Sequence, residues 1–175
     1  MIIKNFYSKN QRGFSLIEMM VVVVILGLII LGLVTFFTGG TKSWVAGQSQ
    51  LEAQRNARQA MERMVREIRE ASNIKENSTL YKVIFKTPWI DKYYSWSGEK
   101  WDSVFEGTNP LINNVQNLTF KYFDSLDVEI TTLPITGTDA LKISKVRIDL
   151  KVDVDKDSNP DITLNTDVNL RNYSL

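Results

Sequence analysis

Hydrophobic and polar positions divide the chain into three stretches. Residues 14–37, in "GFSLIEMMVVVVILGLIILGLVTFF", are apolar apart from Ser15, Glu18, Thr35 and two glycines. About 20 such residues cross a bilayer as helix, so this stretch predicts a membrane-spanning helix. Residues 51–74, "LEAQRNARQAMERMVREIREASNI", are amphipathic. Ala57, Met61, Met64, Ile68 and Ala71 follow the four-and-three spacing of one helical face, with Val65 beside them. Arg58/Glu62, Glu62/Arg66, Arg63/Glu67 and Arg66/Glu70 stand at i,i+4 on the exposed side, each pair worth about 0.2–0.5 kcal/mol. The narrow Ala/Met/Ile stripe needs a partner surface, and a sheet would supply it. One helix from about residue 14 to 74 is expected. Gly39, Gly40 and Gly47 are its weak points at about 1 kcal/mol each relative to alanine, and a bend or melted turn is expected there.

From residue 80 the period changes to two. Residues 80–86 and 115–123 read as strands. In "KVRIDLKVDV" Val146, Ile148, Leu150, Val152 and Val154 alternate with charged residues. Beyond the turn "DKDSNPD", Ile162, Leu164, Val168 and Leu170 continue the alternation, which predicts an antiparallel hairpin with one buried face. "PWIDKYYSWSGEKWDSVF" predicts another hairpin, turning at Ser97-Gly98. Residues 124–139, with Pro134 and Gly137, read as a loop holding one weak strand. The fold class is α+β: a long N-terminal helix, membrane-spanning in its first half and amphipathic in its second, packed on a C-terminal antiparallel β-sheet.

Composition narrows the function. With 43% hydrophobic and 23% charged residues, the 175-residue chain is neither wholly disordered nor a multi-span membrane protein. A net charge of +1 creates no field for nucleic acid, so a nucleic-acid partner is not expected. Lys4, Lys9 and Arg12 precede the apolar run without an acid among them. That asymmetry places the first residues in the cytoplasm and the rest outside. There is no cysteine and no histidine, hence no disulfide, thiol nucleophile, imidazole base or Cys/His zinc site. Ser–Lys and paired-carboxylate chemistry remain formally open, but no spacing points to them, and no enzyme is expected.

Glu18 is the anomaly. A carboxylate at the bilayer centre costs roughly 2.5–3.5 kcal/mol on insertion scales, so something must neutralise it or use it. The order of processing signals is unusual as well. A secretory signal places its apolar stretch before the cleavage site, whereas here Gly13 precedes the apolar stretch. The basic stub, Gly13, Phe14, the apolar run and Glu18 five residues after the glycine resemble the class III signal of type IV pilins and pseudopilins. The resemblance implies that a membrane-embedded prepilin peptidase cuts after Gly13 and methylates the new amine of Phe14. It further implies that Glu18 meets the Phe14 amine of a neighbouring subunit, a cation that offsets the buried carboxylate. "RQAMERMVREIREASNI", "NNVQNLTFKYFD", "VRIDLKV" and "TDVNLRN" are similar, in order and spacing, to PilW/PulJ-like minor pilins and minor pseudopilins. The lack of cysteine departs from the many major pilins that close a C-terminal loop by a disulfide.

Three other constellations carry chemistry. In "DVDKDSNPDITL" Asp153, Asp155, Asp157 and Asp161 take positions 1, 3, 5 and 9 of an EF-hand-like loop. Ser158 stands where the glycine belongs and Leu164 where the bidentate glutamate belongs, so the loop reads first as an Asx-rich hairpin turn and second as a calcium site. Trp89, Tyr93, Tyr94, Trp96 and Trp101 could form an adhesive platform, although aromatics are the ordinary filling of strands and core or cross-strand packing is the favoured reading. The arginines from Arg55 to Arg69 are interleaved with Glu62 and Glu67, which makes a solvated helix rather than a basic stripe for DNA.

The expectation is therefore a structural subunit. Residues 1–13 are a cleaved leader, 14–37 a transmembrane assembly helix, 38–74 its amphipathic continuation and 75–175 a β-rich globular domain. The partners implied by the resemblance are prepilin peptidase, other pilin or pseudopilin subunits, and the inner or cytoplasmic membrane before assembly. The globular domain would lie outside the cytoplasm. No cofactor is required, with calcium at the aspartate loop as the exception. The alternative is a filament-tip adhesin or DNA-uptake subunit that binds an extracellular ligand through its C-terminal domain.

Overall fold

A computed structural model describes residues 13–171. The expected leader, apart from Gly13, lies outside the described residues. The chain divides into two compact units between Ala46 and Gly47, inside one helix, α1 (Leu16–Arg69).

In the first unit α1 starts where the Ser15 carbonyl accepts from the amides of Glu18 and Met19 at 3.0 and 3.2 Å. Every large apolar side chain from Leu16 to Val45 is at least half exposed, because no other described part of this unit covers them. The hydroxyls of Thr35, Thr38 and Thr41 donate to carbonyls three and four residues earlier, at 2.9–3.1 Å. A helix meant for an apolar medium thus leaves none of these hydroxyls bare. The expected melted turn is not found: Gly39, Gly40 and Gly47 are all helical.

In the second unit α1 buries Ala57, Ala60, Met61, Met64 and Ile68, the stripe read from the periodicity plus Ala60. The helix stops at Arg69, five residues before the expected end. Its last carbonyl accepts the Arg171 amide at 2.9 Å, and Ser72 donates to the Lys86 carbonyl at 2.9 Å. The chain is therefore drawn straight into the sheet, and Ala71, though buried, is no longer helical.

The sheet has eight antiparallel strands among the described residues. They are β1 (Asn73–Ile74), β2 (Lys82–Lys86), β3 (Asp91–Ser95), β4 (Asp102–Glu106), β5 (Asn109–Asp124), β6 (Glu129–Ile130), β7 (Ile143–Val152) and β8 (Ile162–Asn169). Their order is β1-β2-β3-β4-β5-β7-β8, with β6 pairing β5 beside that path. A one-turn helix, α2 (Gly137–Ala140), precedes β7 and was not legible in the sequence. β5 is long because it serves β4 with its first half and β7 with its second. The predicted β7–β8 hairpin forms in continuous register from Val152↔Ile162 to Lys145↔Asn169. Val146, Ile148, Leu150 and Val152 all point inward and join the helix stripe in one core with Phe85, Tyr94, Leu118 and Phe120. The β3–β4 hairpin also turns where expected. Gly98 has φ +87°, a left-handed backbone that glycine adopts without strain.

Across the helix–sheet contact runs a charged network. The Tyr94 hydroxyl donates to Glu67 Oε2 at 2.6 Å and Lys92 Nζ to Oε1 at 3.0 Å. Arg63 reaches Glu67 at 3.5 Å and Glu106 at 2.7 Å. Of the expected i,i+4 pairs, Arg63–Glu67 closes because β3 and β4 bring Tyr94, Lys92 and Glu106 to hold both ends.

Candidate processing and assembly segment

Gly13, Phe14 and Ser15 lie ahead of the first helical residue, and Phe14 is 76% exposed. A non-helical, side-chain-accessible Gly–Phe bond is what a peptidase needs to bind before cutting. Glu18 falls in the first turn of α1, where unpaired amides and the helix dipole favour a carboxylate. Its side chain makes no ion pair among the described residues. Any cation that compensates it in an apolar layer must come from outside these residues.

Behind Glu18 stands an uninterrupted wall of exposed Val, Ile, Leu and Met, on a helix long and apolar enough to cross a membrane. Burying one such side chain is worth about 1.5–3 kcal/mol, so the surface calls for lipid or for other helices. At the far end Phe36 and Phe37 meet edge-to-face at 6.0 Å, and Lys42 and Trp44 follow. Aromatic rings with a cation are the usual side chains at the membrane–water boundary.

The aspartate loop is assembled differently from its sequence pattern. Asp153, Asp155 and Asp161 bring carboxylate oxygens within 4.8 Å of one another, and Asp157 is not of the group. Asp157 instead accepts from the Asn159 amide at 2.6 Å, an Asx turn at the loop tip. Asp153, closed off from solvent just beneath the surface, accepts from Lys156 N at 2.7 Å, Ser158 N at 2.9 Å and Trp101 Nε1 at 3.2 Å. Burial pushes its carboxyl up, and these three donors more than reverse it, holding the group below its ordinary range. Asp161 accepts from Val154 N at 2.8 Å and Gln50 Nε2 at 3.2 Å. Asp155 behaves oppositely. The Asp157 amide draws it down, but desolvation and the charges of Asp157 and Asp161 prevail and hold it above the usual value. The loop is chiefly a hydrogen-bonded turn whose oxygens are of the hard type that a cation such as calcium prefers.

The five aromatics separate. Tyr94 and Trp96 are core, the first stacked on Phe85 at 5.7 Å and the second edge-on to Tyr81 at 5.5 Å. Tyr93 is half-buried beneath Lys82 Nζ at 4.8 Å, and Trp101, at φ +69°, clamps Asp153. Trp89 is 93% exposed and packs in no core. Cross-strand packing holds for most of the group, and Trp89 escapes it because it lies in the turn beyond the last β2–β3 pair, Lys86↔Asp91. No shared aromatic platform forms.

No curated protein matches the chain. Residues 8–34 match the family model of the prokaryotic N-terminal methylation motif, a segment that takes in Lys9 and Arg12 of the stub, the Gly13–Phe14 junction, Glu18 and the apolar start of α1. Such a signal implies processing by prepilin peptidase, membrane anchoring and assembly with other pilin subunits. The chain thus carries a class III signal on a long helix that continues into an α+β domain, an arrangement consistent with the type IV pilin and pseudopilin family.

Proposed function

We propose that the protein is a minor pilin or minor pseudopilin, a structural subunit of a type IV pilus or a type II secretion pseudopilus. The observation that carries this reading is the methylation motif on a helix whose first unit exposes all its apolar side chains and whose second unit is built into a sheet. Prepilin peptidase cuts between Gly13 and Phe14 and methylates the Phe14 amine. Glu18 then takes that amine of a neighbouring subunit as its counter-ion, which specifies axial register because no other charge lies on the helix before Lys42. Residues 19–34 pack against other subunits' helices. The role is structural and not catalytic, with the β-rich domain outside the cytoplasm and a place in the initiating or tip complex of the filament.

N-terminal peptide mass spectrometry from the native host tests the first step. The expected species begins at N-methylated Phe14, and an intact Met1–Gly13 leader with the peptidase present would overturn the reading. Glu18→Ala should leave that cleavage intact and abolish incorporation into sheared filaments. Normal incorporation of the variant removes the register role.

A further inference from the structure

Trp89 and Ile90, at the tip of the β2–β3 hairpin, are 93% and 63% exposed. An apolar pair in that position could be a floppy accident, but this turn is closed by its own hydrogen bonds. The Thr87 amide and hydroxyl both donate to the Ile90 carbonyl, at 3.1 and 2.5 Å, and the Ile90 amide returns a bond to the Thr87 hydroxyl at 3.2 Å. The side chains are therefore presented at little ordering cost when something covers them. Beside them opens a cleft of about 540 Å³, walled by Arg66, Glu67, Glu70, Lys92 and Arg171.

The charges on that wall do not cancel. Lys92 and Glu67 are bonded to each other at 3.0 Å. Arg66 and Arg171 make no ion pair among the described residues, and the wall as a whole has more cations than anions. Two guanidiniums in the wall of one cleft suit a carboxylate, since each can hold one by paired hydrogen bonds. Tryptophan and arginine are also among the residues enriched at the hot spots of protein interfaces. We propose that this cleft docks a protein segment presenting an acidic side chain next to an apolar one, the carboxylate on Arg66 and Arg171 and the apolar group on Trp89 and Ile90. A lipid surface fits less well, because the concavity would not lie flat on a bilayer.

The test uses the full chain in its native host, with Trp89→p-benzoylphenylalanine and the same photo-crosslinker at exposed Lys100 as the control. Irradiation should yield a discrete protein adduct at position 89, whose mapped peptide holds Asp or Glu within about two residues of an apolar side chain. Adding Arg66→Glu with Arg171→Glu should cut the adduct about tenfold, and changing the partner's acid to lysine should restore it. A synthetic peptide of the mapped segment should bind the detergent-solubilised full chain, with Kd rising about tenfold in Trp89→Ala. All three positions are exposed, and unchanged melting temperatures confirm that the variants fold. Adducts to lipid, to a peptide without an acid, no stronger than at Lys100, or indifferent to the charge reversal overturn the proposal.

Discussion

At the residue scale, the groups that matter most for the fold are polar ones made safe by several donors. Asp153→Ala would strand Trp101 Nε1 and the amides of Lys156 and Ser158, each left without its acceptor. The expected loss is about 2–4 kcal/mol in urea unfolding, from the usual cost of buried unmatched donors. A loss under 0.5 kcal/mol would mean that water replaces the carboxylate. The pH dependence follows from the same groups. Glu67 feels burial first, but the Tyr94 hydroxyl, Lys92 and Arg63 outweigh it and hold it low; Arg147 holds Asp167 low. Acids with depressed folded pKa values contribute stability that is complete above their unfolded values, near pH 4, and is lost as pH falls through the folded ones. Asp155, held high, works in the opposite direction. Four depressed acids, Glu67, Asp139, Asp153 and Asp167, against one raised acid predict a urea midpoint that is flat from pH 7 to 5 and falls below about pH 4. A midpoint that rises on acidification would contradict this. Because internal donors already satisfy Asp153 and Asp161, millimolar calcium or its chelation is expected to leave the melting temperature within about 2 °C. A rise of about 5 °C or more with calcium would show that the loop binds it.

At the element scale, α1 is one helix under two sets of demands. In the second unit its apolar side chains are held by the sheet, and Met64 is fully buried. Met64→Ala should cost about 2–5 kcal/mol of domain stability, whereas Val24→Ala, on the exposed wall, should cost the domain nothing measurable. Comparable effects at both sites would show that the wall is packed in the folded monomer. The stripe Ala57, Met61, Met64, Ile68 was legible because a buried helical face repeats every 3.6 residues, and the β7–β8 alternation because a half-buried strand repeats every two. The end of α1 was not legible. "REASNI" continues the apolar spacing, and only the pairing of Ser72 and Asn73 with Lys86 shows that strand geometry wins there. β1, β6 and α2 are likewise too short to have a period.

At the scale of the whole molecule, the division between Ala46 and Gly47 predicts separable behaviour. A fragment of residues 47–175 should fold, remain monomeric without detergent and unfold cooperatively, because its core is drawn from that unit alone. The full chain should need detergent or membrane. Aggregation of the fragment, or the loss of its near-ultraviolet circular dichroism, would show that the first unit is required for the fold. The sequence by itself determined what depends on local order: the class III signal, the misplaced carboxylate, the membrane-length apolar run, the helical stripe and the main hairpins. Each rests on neighbours within a few residues, so a pattern in one dimension suffices. Only the tertiary structure decided which aspartates converge, which aromatic is left outside the core, where α1 ends, and that Arg66, Arg171 and Trp89 wall one cleft. Those facts join residues as much as about 100 positions apart, and strand pairing across the sheet, not spacing along the chain, sets the distance between them.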